Sequence, residues 1–159
     1  MSPPGPKKDD RGPDVATNRE ARFAYEIVER FEVGIVLQGT EVKSLRDGKA
    51  RLQDAYAVIE EGELYLRNSY IPPYTPALDN HEPERPRKLL IHRWEIERLV
   101  GRMQRKGLTL IPTRIYFKGR RAKVELALAR GKDKGDKRRA IRDRDVARDV
   151  EREMKQRSR

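Results

Sequence analysis

Lys43 and Arg46 stand three residues apart in a short charged stretch. Arg85, Arg87 and Lys88 lie just ahead of the apolar run Leu89-Leu90-Ile91, and Lys118, Arg120, Arg121 and Lys123 surround a glycine turn. Cations grouped in this way do one kind of chemistry well: each neutralises a phosphate and releases its counterions, so that the contacts add. The whole chain carries a formal charge of +11 and has a pI near 10.1. Such a balance points to a polyanionic partner, and to nucleic acid ahead of an anionic membrane.

Other chemistries lack the residues they need. The chain has no cysteine, which excludes disulfides, zinc knuckles and thiolate catalysis. His81 and His92 have no partner at metal-ligand spacing and are expected on the surface or in loops. Ser44 has no histidine near it in sequence, so no nucleophilic triad is supported. Glu60 and Glu61 fall at a predicted turn, where solvated charge accounts for them. Gly131-Lys132-Asp133-Lys134-Gly135-Asp136-Lys137 only superficially resembles a phosphate loop, because Asp136 breaks the required Gly-Lys-Ser/Thr. No catalytic residue, metal or cofactor is expected. No apolar run approaches the roughly 20 residues that span a bilayer, and Met1–Pro6 has no apolar stretch for a secretory signal. A cytoplasmic monomer with no membrane partner is the expectation.

The elements that must carry the cations follow from periodicity. With 36% hydrophobic and 40% charged residues, the folded part has to be small, with segments outside it. Residues 1–17 hold Pro3, Pro4, Pro6 and Pro13 and read as a disordered leader. Phe23, Tyr25 and Ile27 alternate, as do Phe31, Val33, Ile35 and Leu37, which predicts two strands. Glu41–Gly48 reads as a short helix with Thr40 as its N-cap. Tyr56 and Val58 precede, and Leu64-Tyr65-Leu66 follow, a hairpin turn at Glu61-Gly62. Pro72 to Pro86 is a long polar loop. Ile96, Leu99, Val100 and Met103 mark one face of a helix over Arg93–Arg105, closed by Gly107, with Trp94 expected as a core or packing residue and not as a base-stacking platform. Strands over Thr109–Lys118 and Ala122–Arg130 follow, Val124, Leu126 and Leu128 facing one way and Lys123, Glu125 and Ala127 the other. About six short strands and two to three short helices predict a mainly β fold, a small closed antiparallel barrel of OB-like kind, over residues 18–130.

Residues 131–159 form a tail with twelve Lys/Arg and seven Asp/Glu. At helical spacing Arg144, Arg148 and Arg152 make one row, Asp145, Asp149 and Glu153 the next, and Val146, Val150 and Met154 a third. Like charges four apart oppose a helix by roughly 0.2–0.5 kcal/mol per pair. The expectation is a tail disordered when free and helical once phosphates neutralise the arginine row.

Several separate motifs in register resemble the SmpB family of SsrA-binding proteins. They are Gly39-Thr40-Glu41-Val42-Lys43-Ser44-Leu45-Arg46, Arg87-Lys88-Leu89-Leu90, Lys106-Gly107-Leu108-Thr109-Leu110, Ala129-Arg130-Gly131-Lys132 and Asp136-Lys137-Arg138. The resemblance runs from about Asn18 to the end of the sequence. It implies an OB-fold barrel that binds the tRNA-like domain of transfer-messenger RNA (tmRNA) and delivers it to stalled ribosomes for trans-translation. It further implies that the tail enters the vacant mRNA channel, reaching the decoding centre and its 16S rRNA.

Carried over residue by residue, the implied RNA-contacting set is Asn18, Glu32, Lys43, Arg46, Lys88, Leu90, Lys123, Arg130 and Lys132. Leu90 packs either on an unstacked base or in the core. Asp136, Lys137 and Arg138 match the family's tail motif, and Arg144, Arg148, Arg152 and Met154 continue the ribosome-facing tail. Phe23 stands where the family commonly has histidine, Gly135 where many members have an aromatic or histidine, and Asp133 where lysine is usual. Glu153 precedes Met154 where an apolar residue is common. Two other classes remain open on the residues alone, a structural ribosomal protein and a general OB-fold binder of single-stranded RNA.

Overall fold

The structure, a computed structural model, describes residues 11–132. Positions 1–10 and the tail, with Asp133, Gly135, Asp136, Lys137, Arg138, Arg144, Arg148, Arg152 and Met154, lie outside the described residues.

In chain order the elements are β1 (Arg11–Thr17), α1 (Ala21–Ala24), β2 (Tyr25–Ile35), α2 (Gly39–Arg46), β3 (Tyr56–Glu60), β4 (Glu63–Arg67), β5 (Arg87–Leu90), α3 (Arg93–Lys106), β6 (Leu108–Lys118) and β7 (Arg121–Gly131). All pairings are antiparallel. The seven strands run in the order β1-β6-β3-β4-β5-β2-β7, and β7 pairs back onto β6 to close the barrel.

Alternation in the sequence explains the closure. Val33, Leu64, Leu66, Leu89, Leu110, Ile115, Val124, Leu126 and Leu128 come from five of the strands and are buried together. Each such side chain contributes about 1.5–3 kcal/mol by leaving water. The β3–β4 turn places Glu61 and Gly62 at φ 51 and 76, the pair of left-handed residues that a two-residue hairpin needs to match strand twist. Ile96 and Leu99 of α3 are buried, and Gly107 ends the helix at φ 60.

Several expectations are corrected. Arg11–Thr17 is not part of a leader: it pairs with β6, with Asp14 opposite Tyr116 and Thr17 opposite Arg114, and Ala16 is buried. The two expected strands at 23–37 are one, β2, with a register shift between Ile27 and Glu29. Phe23 belongs to α1 and is exposed. The N-cap of α2 is Gln38, not Thr40, with a reciprocal capping box to Glu41. Trp94 is 63% exposed, not a core residue. Ala127 does face away from Val124, Leu126 and Leu128, as expected, and there it forms a second small core with Ala129, Ala21 and Ile111. β5 is a strand that the sequence reading did not find.

Candidate nucleic-acid interface

The outward face of the barrel is assembled across β5, β2, β7 and β6. Gly34 of β2 pairs with Leu90 on one side and Lys123 on the other, and Lys123 pairs in turn with Tyr116. Residues directly opposite in an antiparallel ladder point to the same side, so Leu90, Lys123 and Tyr116 lie in one row. Leu90 is 53% exposed, which decides against a core role for it. It reaches over Gly34, where an added Cβ would come within 3.1 Å of the Leu90 Cβ. The row below it runs from Glu32 to Glu125 and Arg114. Tyr116 donates its hydroxyl proton to Glu32, and Lys118 Nζ lies 3.5 Å from the same carboxylate. Burial would raise the Glu125 carboxyl, but the Arg114 guanidinium and the Thr113 hydroxyl outweigh it and hold it below its ordinary range.

Helix α2 brings Lys43 and Arg46 beside this face. Its inward residues Glu41, Ser44 and Leu45 are buried, which turns 43 and 46 outward. The Arg46 guanidinium lies 3.9 Å from the centroid of Phe117, at the end of β6, and Lys43 Nζ lies 5.5 Å above Tyr74. Arg46 thus adjoins the β6–β7 hairpin that carries Lys118, Arg120, Arg121 and Lys123.

The helix is held in this position by the loop behind it. Ser44 Oγ donates to the Pro72 carbonyl at 2.7 Å, and Thr40 Oγ1 lies 2.8 Å from His81 Nδ1. His81 Nε2 lies 2.8 Å from the Ile71 carbonyl, which can only accept, so that nitrogen carries the proton. His81 is in the loop, as expected, but is only 5% exposed. Asn80 closes the loop tip through the backbone of Tyr74 and Ala77. Replacing His81 with Ala leaves the buried Ile71 carbonyl and the half-buried Thr40 hydroxyl without their partner. The expected result is a loss of about 1–3 kcal/mol, read as a lower urea midpoint at unchanged slope.

Arg85 and Arg87 do not belong to the RNA-facing cations. Both grip Glu41, and Arg87 and Glu41 are each 0% exposed. Arg87 also donates to Ser69 O at 2.8 Å, Ser69 Oγ at 2.9 Å and Pro83 O at 3.0 Å. Sequence spacing suggested a surface cluster; the pairing partner 46 positions away makes it a buried one. Burial raises the Glu41 carboxyl, but Arg85, the Gln38 N–H and Arg87 overcome it and hold it below the ordinary carboxylate range.

The remaining expected residues fall in two places. Lys88, on β5 beside Leu90, is paired with Glu63 at 3.1 Å. Arg130 pairs with Glu26 at 2.5 Å, and the Lys132 N–H donates to the Ala24 carbonyl at 3.1 Å, both at the far end of the β2–β7 ladder. Glu26 lies eight residues before Gly34 on β2, roughly 25 Å along a strand, so Arg130 and Lys132 are not part of the Leu90–Lys123 row. Asn18 donates to Pro112 O at 3.1 Å. It lines an open groove of about 450 Å³ with Phe23, Arg30, Arg114 and Glu125, which links it to the second row. Arg19, Arg30 and Arg114 in that groove escaped the sequence reading; Arg30 was findable as the outward position two before Glu32. Pairs as exposed as Lys88–Glu63 and Arg130–Glu26 are screened by water and add little to stability, so a phosphate can displace their carboxylates at little cost.

Among the described residues no group of His, Asp and Glu could hold a metal ion, and no helix is long and apolar enough to cross a membrane. The arrangement offers outward cations, hydrogen-bonding carboxylates and exposed apolar side chains, which is the equipment of RNA binding.

Comparison with known proteins agrees. The profile of the family described as SmpB protein matches residues 15–156. A protein of Syntrophomonas wolfei described as SsrA-binding protein is 56% identical over 146 residues, covering 91% of this chain and 93% of its own. One of Sulfurihydrogenibium sp. with the same description is 51% identical over 142 residues, covering 89% and 93%. A solved structure described as "tmRNA-SmpB: a journey to the center of the bacterial ribosome" is 52% identical, with a TM-score of 0.65 over 79% of this chain and 93% of that one.

Proposed function

The chain belongs to the SmpB family, and from that premise we propose that it is the RNA-binding factor of trans-translation, acting with tmRNA on the ribosome. The observation that carries this is the family match across residues 15–156, supported by relatives described as SsrA-binding and by a related structure with tmRNA on the ribosome. The barrel takes the tRNA-like domain. The row Leu90–Gly34–Lys123, with Glu32, Lys88, Lys43 and Arg46, is the contact surface the geometry favours; Asn18 joins it through its groove, and Arg130 and Lys132 meet RNA separately. The tail, with Asp136, Lys137 and Arg138 and the row Arg144, Arg148, Arg152, enters the vacant mRNA channel toward the decoding centre. The protein works in the cytoplasm, as a monomer, and by binding rather than catalysis.

The test is equilibrium binding by fluorescence anisotropy at about 150 mM salt, where non-specific phosphate binding has weakened. The probes are the tRNA-like domain, an elongator tRNA and a hairpin of equal charge. Selective binding to the first is expected; equal, salt-sensitive binding to all three would reduce the chain to a general basic RNA binder. In the same assay Arg46→Ala and Lys43→Ala each weaken binding and shallow the line of log K against log salt by roughly 0.7–0.9. Arg46→Lys keeps the charge but loses the planar stack on Phe117, so it retains the slope with weaker binding.

A further inference from the structure

His92 and Trp94 stand where β5 gives way to α3. Their rings are nearly parallel, 12° apart with centroids separated by 6.4 Å, within the range over which aromatic pairs attract. Trp94 is 63% exposed, and it is the chain's one tryptophan. The buried face of α3 is set by Ile96 and Leu99; Trp94, two residues before Ile96, points away from it. A small barrel that leaves its largest aromatic surface in water, propped by a second ring, has forgone stabilisation that burial would have given.

The surroundings indicate what covers that surface. Leu90, 53% exposed, is two residues ahead of His92, and Lys88 is exposed on the same strand. Arg93, beside Trp94, is exposed, and Lys123 lies across Gly34 from Leu90. The platform therefore follows Leu90 of the proposed RNA-contacting row along the chain, with the exposed cation Arg93 between its two rings in sequence. A paired base in an A-form helix presents its faces only to its neighbours in the stack, and the deep major groove admits no side chain. An unpaired nucleotide has a free π-face, and indole stacks on any of the four bases. We infer that Trp94, with His92 behind it, is a stacking platform for an unpaired base of the bound RNA, extending the binding surface beyond the barrel onto the first turn of α3.

This rests on the RNA-binding reading above, and the test separates the two. Full-length protein is titrated with the tRNA-like domain of tmRNA while anisotropy of the RNA and emission of Trp94 are read together. Binding should quench the indole emission over the same concentration range. Trp94→Ala should bind about tenfold more weakly, with the slope of log K against log salt unchanged because no phosphate contact is lost. Trp94→Phe should recover most of the affinity. Since the ring is exposed, thermal unfolding of both variants should match the parent. RNA binding with unaltered emission, or a Trp94→Ala protein that binds like the parent, would overturn the platform, leave the barrel reading intact and point the ring toward a protein partner. Failure of the parent to bind the RNA at all would remove the reading on which the platform rests, and the platform with it.

Discussion

Glu41→Gln is expected to cost the fold about 3–5 kcal/mol, enough to lower Tm by roughly 10–20 °C. The carboxylate accepts from Arg85, from Arg87 and from the Gln38 N–H that opens α2. Glutamine keeps the shape but removes the charge, and its amide group would face guanidinium donors. Arg87, itself 0% exposed, would then hold an uncompensated charge. A double replacement, Glu41→Met with Arg87→Met, should be less damaging than the sum of the two singles, because it leaves neither charge stranded. Additive costs in that cycle would show that the pair does not act as a unit. The pH dependence has a defined sign. With its folded pKa held below the ordinary value of 4.5, Glu41 contributes fully above that value, and the contribution is lost as pH falls through the folded pKa. The parent should therefore lose stability steeply on acidification below about pH 4.5, and Glu41→Gln should show a shallower decline.

What the sequence could and could not reveal divides along physical lines. Strands β3, β4, β6 and β7 were legible because each carries alternating apolar residues that enter the main core, while Ile111, Ala127 and Ala129 face the second small one. In β2 the same alternation was read as two strands, since the charged Glu29 interrupts the apolar series Tyr25, Ile27, Phe31, Val33 without changing its phase. β1 has Gly12, Pro13 and Asp14 and little apolar content; it is ordered by its pairing with β6, a long-range contact with no local signature. β5 is four residues long, too short for any period to be counted. Trp94 was assigned by residue type, whereas its phase relative to Ile96 and Leu99 already set it off the buried face. At the interface, the motif residues Lys43, Arg46, Lys88, Leu90 and Lys123 could be named from the sequence, but not their arrangement. That depends on Gly34 pairing with Leu90 and Lys123 at once. Arg85 and Arg87 were read as phosphate ligands because a buried guanidinium and an exposed one look alike until Glu41 is brought to them.

Truncation after Lys132 is expected to abolish trans-translation, read as tagging of the unfinished protein, while the affinity for the tRNA-like domain changes by no more than roughly fivefold, the loss of a non-specific electrostatic term. The cut falls where the barrel is complete: Gly131 still pairs with Tyr25, and the Lys132 N–H still reaches the Ala24 carbonyl. Lys43, Arg46, Leu90 and Lys123 are untouched, so recognition and delivery are separated by one deletion. Tagging that persists in a purified translation system would sink the assignment of the tail to the message channel. Arg144→Gln, Arg148→Gln and Arg152→Gln together refine the point. Like charges four apart would oppose a helix by roughly 0.2–0.5 kcal/mol per pair; the triple variant removes that repulsion and also neutralises fewer phosphates. If helix formation alone limited entry, tagging would hold or improve. The charge balance of the tail, twelve cations to seven acids from Gly131 onward, argues that phosphate contact is the stronger term, and tagging by the triple variant should fall, with its deficit against the parent widest at low salt.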